Sequence, residues 1–318
     1  MNKLARKLVL SVLSVVLTVV ALGTTTFAWF TLTNTSVVQP FNANVVADTG
    51  IEVAVGMPLI SDPVLLNWKS VITTQDMTNY LNAKYPAGFA FNHVTSANGR
   101  TFTDLEGEGV TSGYIEIPLH FRSNNSTIIN WTNVVVESPT ASWRTGVTFI
   151  DSIGEERVAG GTFEVNAADA VRISITGNHQ VSDGDGGFIP TNVTVAYENP
   201  ASEPNRNTIL GAKVNADFRG NEVPEGSGEF VGVNGSTNYY YKVNNMLPNG
   251  AGSVNTVGTI QALTSGTKIL DMVENPSVMP EAKYYGVVTI RIWIEGWDGE
   301  AYNSILGRVI TTSFRFAA

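Results

Sequence analysis

Apolar and polar residues alternate along much of this chain, and the period is two. Residues 114–122 are the plainest case: Ile115, Ile117, Leu119 and Phe121 share one face, while Glu116, Pro118, His120 and Arg122 share the other. Such alternation predicts a half-buried strand. Pro118 has no N–H to donate, so it predicts an edge or a bulge. Residues 284–295 repeat the pattern, with Val288, Ile290, Ile292 and Ile294 opposite Thr289, Arg291, Trp293 and Glu295. Residues 296–299 turn the chain, and 309–316 return as a further strand. Shorter strands are predicted over 50–56, 128–136, 146–150, 170–176 and 192–197. One helix stands out: Thr73 supplies a cap, Asp76 favours the first turn, Met77, Tyr80 and Leu81 follow at helical spacing, and Pro86 stops it.

Residues 87–113 are rich in Gly and Asn and read as loop. From 198 to 283 the period fades and prolines and glycines gather. This is a loop-rich insertion with a short element at 238–243 and a helical turn at 268–273. A structureless stretch of that length inside one domain is unfavourable, so part of it must pair or pack. Many short strands with turn signals between them, and one or two short helices, predict an all-β fold. The expected architecture is an antiparallel β-sandwich of the jelly-roll kind, with an immunoglobulin-like sandwich as the alternative.

The N-terminal stretch departs from this pattern. Lys3, Arg6 and Lys7 precede an apolar run from Leu8 to Leu22, and Thr26-x-Ala28 offers small residues at a cleavage position. The layout is that of an export signal over 1–28, and the run is short for a membrane span. An uncleaved anchor, with Trp29 and Phe30 at the interface, is one alternative and the route by which a membrane enters; a pilin-type N-terminus is the other, and the polar residues at 24–26 and 34–39 break the apolar periodicity it needs. Residues 29–49 read as an extended arm, with 50–318 as the β-sandwich domain.

Composition supports export. Hydrophobic residues make up 43% and charged residues only 15%, so Asn, Thr, Ser and Gly must cover the surface. The net charge of −9 argues against nucleic acid as a partner. There is no Cys, so disulfides cannot staple the fold and packing must hold it.

Three stretches together resemble a known family. They are Thr-Phe-Ala-Trp-Phe-Thr at 26–31 running out of the export signal, Tyr114-x-Glu116-x-x-Leu119-x-Phe121-Arg122, and the closing run from Val288 to Asp298 with Trp293-Ile-Glu-Gly-Trp297-Asp. The chain resembles the TasA/camelysin-like exported surface and biofilm-matrix proteins, which leave the cell through a SipW-type signal peptidase. The resemblance does not cover 198–280. It implies a jelly-roll subunit that builds extracellular fibres or a coat, the N-terminal segment of one subunit adding as a strand to the next. Backbone chemistry makes this reasonable by itself, because a freed arm and an exposed sheet edge carry complementary donors and acceptors. In the arm, Trp29, Thr31 and Thr33 alternate with Phe30 and Leu32.

The residues that could carry chemistry are few. His93, His120 and His179 are not at metal-ligand spacing, and neither His-Glu-x-x-His nor Gly-x-Ser-x-Gly occurs. His120, on a polar strand face, reads as a surface residue. Asp183 and Asp185, in Asp-Gly-Asp-Gly-Gly, look like half a calcium loop, but the position where an EF-type loop needs its closing carboxylate is Thr194. Turn chemistry explains the Asp-Gly pairs equally well, and calcium is the one cofactor left open. Glu295 and Asp298 could in principle be a glycosidase pair, though a strand end and an Asp-Gly turn explain them more simply. Trp293, Trp297 and Tyr302 could form a glycan-stacking or interface patch, with packing as the alternative for Trp293. Tyr239, Tyr240 and Tyr241 read as an adhesive patch. The expected function is therefore a non-enzymatic, exported, self-assembling structural subunit, with a surface adhesin or carbohydrate-binding module as the alternative.

Overall fold

The structure is a computed structural model and describes residues 41–48, 50–151, 155–198, 238–244, 266–298, 301 and 309–318. In chain order the strands begin with β1 (Phe41–Ala47), β2 (Glu52–Val55) and β3 (Val71–Ile72), followed by helix α1 (Thr74–Lys84). A small hairpin, β4 (Phe102–Thr103) and β5 (Gly109–Val110), interrupts the loop expected over 87–113. Next come β6 (Ile115–Ser123) and β7 (Ile128–Glu137), then four short strands, β8 (Thr140–Arg144), β9 (Phe149–Ile150), β10 (Glu156–Arg157) and β11 (Thr162–Asn166). A 3-10 turn (Ala167–Ala170) leads into β12 (Val171–Ser182) and β13 (Phe188–Glu198). Helix α2 (Asn238–Asn244), β14 (Thr267–Asp271), β15 (Val273–Glu274), β16 (Tyr284–Ile294) and β17 (Ile310–Ala317) complete the set.

Two sheets dominate. One runs β14-β7-β17-β1-β3; the other runs β13-β12-β16-β6-β2, with β15 also on β16. A single apolar cluster joins them: Ala43, Val45, Trp131, Phe314 and Phe316 from the first meet Ile117, Phe121, Ile175 and Ile290 from the second. Phe121 and Phe316 pack edge to face across the interface at 5.2 Å. The all-β, sandwich-like architecture follows directly from the alternation, since each sheet buries one face.

β1 corrects the expected arm. Residues 41–47 fall within the extended arm expected over 29–49, yet they lie inside a sheet, parallel to β17 from Phe41↔Ile310 to Ala47↔Phe316. The reason is packing: Ala43, Val45 and Ala47 bury one face of a strand whose other residues are polar or exposed. The contact is parallel, a departure from a wholly antiparallel sandwich. Residues 29–40 lie outside the described residues.

The segment after β2 ties both sheets together on this side. Lys69 exchanges backbone hydrogen bonds with Val53 (2.8 and 3.0 Å), and Ala47 N–H donates to Ser70 (2.9 Å). Helix α1 packs here and forms as expected. Thr73 and Asp76 make a reciprocal capping box, and Met77 and Tyr80 are buried. The Tyr80 hydroxyl donates to the Glu116 carbonyl. Pro118 sits where the edge strand β2 runs out: the last β2 pair is Val55↔Leu119, and the Pro118 carbonyl accepts from Gly56 (2.9 Å).

Two further expectations change. The helical turn at 268–273 is instead strand β14 on β7, with a bulge between Lys268 and Leu270. The bulge lets the consecutive residues Ile269 and Leu270 both be buried, and that doublet imitates helical spacing. β14 also crosses close to the other sheet. A Cβ on Gly177 would lie 2.1 Å from the Ile269 carbonyl oxygen, so a glycine inside a strand marks the crossing. The strand expected at 146–150 shrinks to β9.

Residues 140–166 form a separate small module. Among the described residues β8 pairs only with β11, and β9 only with β10. Trp143, Phe149, Val165 and Tyr239 make its own core, distinct from that of the sandwich.

Candidate functional site

A buried ionic corner forms where β12 begins and β16 ends. Arg172 lies on the outer face of β12 and is fully buried. Its Nη1 donates to the Asp169 carbonyl (2.7 Å) and its Nη2 to Asp298 Oδ2 (3.0 Å). The guanidinium carbon lies 5.9 Å from the Trp297 ring. Burial, and the nearby Asp298 carboxylate, push the Asp169 carboxyl up to about 6, with Arg172 pulling the other way. The loop over 92–99 covers this corner, because Gly296 lets the His93 backbone within 2.9 Å of its Cβ position and Gly99 lies as close to Ser174.

The tryptophans of the corner are not a platform. Trp293 and Trp297 are 0% and 1% exposed. Trp293 packs edge to face on Phe102 at 5.2 Å, and its Nε1 donates to Glu295 Oε2 (3.0 Å). Trp297 packs with Tyr240 and Leu105, and its Nε1 donates to Thr95 Oγ1 (3.2 Å). Neither ring has a free face for a sugar, and packing is the outcome. Glu295 and Asp298 are both fully buried, so they do not flank an open cleft as a glycosidase pair must. Tyr302 lies outside the described residues.

The three adjacent tyrosines are also turned inward. Tyr239 stands edge-on to Trp143 at 4.8 Å and to Phe149 at 5.1 Å. Tyr240 packs on Trp297, and Tyr241 is buried too. The expected adhesive patch is therefore a clamp: α2 joins the 140–166 module to the ionic corner. His120 is likewise half-buried, not a bare surface residue. Its Nδ1 bonds the Tyr285 hydroxyl at 2.7 Å, and burial lowers its pKa to about 4.

The end of the β12–β13 hairpin exposes several large apolar side chains together. Asp183 and Asp185 lie in its turn. Asp183 Oδ1 accepts from the N–H groups of Asp185 and Gly187 (2.9 Å each), and Gly184 and Gly186 hold φ of 87° and 89°. That is turn chemistry, and among the described residues no group of three or more metal-ligating side chains gathers. Beside the turn, Val181, Phe188 and Ile189 are 46%, 67% and 56% exposed. Among the described residues β13 pairs only with β12.

The ladder sets the chemistry of this edge. The Asp183 N–H bonds Gly187, whereas the Gln180 N–H turns away from β13 to Asp271 Oδ2 (2.7 Å). Alternation then points the backbone groups of 190, 192, 194, 196 and 198 outward. Pro190 has no N–H to offer, so an incoming strand would find its ladder from Asn192 onward.

Two clefts accompany these features. One, of about 650 Å³, lies between the sheet edges near Asp48, Glu52, Asn125 and Glu281, where Arg122 bonds Glu52 (2.8 Å) and Glu281 (3.0 Å). The other, of about 520 Å³, is lined by Val136, Glu137, Ser138, Asn166, Ala168 and Thr311. Trp29, Phe30, Thr31, Leu32 and Thr33 lie outside the described residues. Sequence reading missed Arg172, because on the polar face of an alternating strand it looks solvent-facing. The glycines at 99 and 296, where a covering loop comes close, were the available signal.

These features define a two-sheet β-sandwich that carries an appended, aromatic-cored module. No protein-family model, curated protein or solved structure matches the chain.

Proposed function

We propose that this chain is an exported structural subunit of an extracellular fibre, matrix or surface coat. One subunit's leading segment, with Trp29, Phe30, Thr31, Leu32 and Thr33, adds as a strand to β13 of the next. The β13 edge, which no other described strand pairs, is the observation that carries this reading: outward backbone groups run from Asn192 to Glu198, next to an exposed apolar hairpin end. Strand addition takes affinity from main-chain bonds and register from alternate side chains. Such head-to-tail contact does not close on itself and propagates as a filament. The export layout and the resemblance of 26–31, 114–122 and 288–298 to TasA/camelysin-like proteins support the same reading. A five-stranded sheet packed on a six-stranded one supports a jelly roll as its finer architecture, with the parallel β1–β17 contact as a departure.

The test is N-terminal sequencing of the secreted protein together with electron microscopy of the same sample. Asn192→Pro removes one outward N–H without touching the β12 ladder, and it should abolish filaments while the monomer stays folded. Filaments formed by this variant at the wild-type critical concentration would exclude β13 as the acceptor.

A surface-adhesin reading is favoured by a different observation. Trp68 and Tyr285 meet at 6.5 Å on the outer face of the second sheet, with Arg122 4.6 Å above the Trp68 ring. Glycan binding that is lost in Trp68→Ala, with assembly unchanged, would select it.

A further inference from the structure

We propose that the cleft of about 520 Å³ binds the chain's own leading end, Trp29 and Phe30, once the export signal has been cut away. This inference rests on the export reading above and not on the fibre. The cleft opens where β7 ends and β17 begins. Val136 and Ala168, 8% and 1% exposed, belong to its wall together with Pro139 and Val309. Ser138 Oγ, in the same lining, is shielded from solvent and has no hydrogen-bond partner among the described residues. Glu137 adds a negative charge there. It is exposed, and among the described residues it makes no ion pair.

The place where the described chain begins points to the occupant. Phe41 lies beside Ile310 in the parallel β1–β17 ladder, and the next residue back along β17 is Val309 of the cleft. β7, which supplies the other side, is the neighbour of β17. The leading segment has to cross only about two strand spacings, ~10 Å, to arrive. Residues 29–40 span up to ~40 Å when extended, so they reach the cleft with room to turn. A tether this short holds the end at a local concentration on the order of millimolar. In dilute solution that exceeds the concentration of any second copy, so each subunit fills its own cleft.

Processing creates the ligand. Trp29, Phe30 and Leu32 are the large apolar side chains at the front of the segment, and Thr and Asn follow them. Seating an aromatic against Val136, Pro139 and Val309 removes apolar area from water. Hydrolysis of the Ala28–Trp29 bond turns the Trp29 amide into an α-ammonium group, largely charged at neutral pH. Glu137 is the carboxylate that receives it, and a free N-terminal amine is a group that proteins capture in this way. An uncut chain carries no charge at Trp29 and has further residues in front of it. Docking therefore follows cleavage, and it withholds the segment from neighbouring β13 edges until subunits are concentrated.

The absence of Cys allows a direct test. Leu32→Cys and Thr311→Cys, the latter at an exposed position, are introduced together in the mature chain that starts at Trp29. A short bis-maleimide is added in dilute solution. The expected product is an intramolecular cross-link. It should form about tenfold more slowly when Glu137→Gln is added, as loss of a bond to a charged group implies, and likewise in a chain that keeps residues 24–28 ahead of Trp29. A second measurement needs no cysteine: acylation of the Trp29 amine by a limiting reagent should be slow in the mature chain and fast in Glu137→Gln. A cross-link that forms only between molecules, no cross-link, or an unchanged rate in either altered chain would overturn the proposal. So would a Trp29 amine acylated equally fast in both chains. Loss of filaments bears on strand addition alone, whereas a secreted product that still begins at Met1 overturns the export reading and this one with it.

Discussion

At the scale of single residues, the polar groups caught inside the sandwich make the sharpest predictions. Thr312 on β17 is fully buried, and its Oγ1 has no hydrogen-bond partner among the described residues. An unmet buried hydroxyl costs stability that an apolar group of the same shape does not. Thr312→Val should stabilise the fold by about 1 kcal/mol, read as a higher urea midpoint with unchanged slope. His120 sets a pH dependence of stability. Burial lowers its pKa to about 4 from the usual 6.5, so the folded state prefers the neutral ring. Its contribution is complete above about 6.5 and is lost as pH falls toward 4. The urea midpoint should drop across that window and drop less in His120→Gln. Some acid sensitivity should remain, because burial also lowers His93 and His179.

At the scale of elements, the strands fall into two groups. Those that bury one face against the other sheet, such as β6 and β16, were legible because Ile115, Ile117, Leu119 and Phe121 alternate strictly with polar neighbours. Helix α1 was legible through Thr73 and Asp76, whose local hydrogen bonds need no tertiary partner. β1 was not, since Asn42 and Asn44 on its outer side make it look like a linker, and only its pairing with β17 reveals its place. α2 was legible only as a short element at 238–243, not as a helix, because its tyrosines serve two different cores and follow no single face. The candidate site split along the same line. Trp293 and Trp297 read from the sequence as a glycan-stacking or interface patch, but both are buried, and their burial under the 92–110 loop depends on close approaches at Gly99 and Gly296. The crossing of β14 over β12 makes this testable. Ala at Gly177 would drive its Cβ into the Ile269 carbonyl oxygen, which lies 2.1 Å from that position. Overpacking of this kind costs about 3 kcal/mol, and Gly177→Ala should lower the thermal midpoint accordingly.

At the scale of the whole molecule, the pairing of the first and last described strands decides how the leading segment can act. β1 lies between β17 and β3, and Val45 and Ala43 sit in the joint core. A subunit that donated residues 41–47 to a neighbour would have to open its own sheet, whereas one that donated only residues before 41 would not. Two truncations separate these cases. Removing residues 1–40 should leave the sandwich intact, with a thermal midpoint within a few degrees of the mature protein, and should abolish filaments if that segment is the donor. Removing residues 1–47 should abolish the cooperative transition itself. It strips β17 of its parallel partner along 310–316 and takes three buried side chains from a core whose net stability is only about 5–15 kcal/mol in domains of ordinary size. Filaments of normal length from the shorter truncation would show that assembly uses another surface. A folded, monomeric product of the longer one would show that β1 is dispensable, and then the strand itself would be free to exchange.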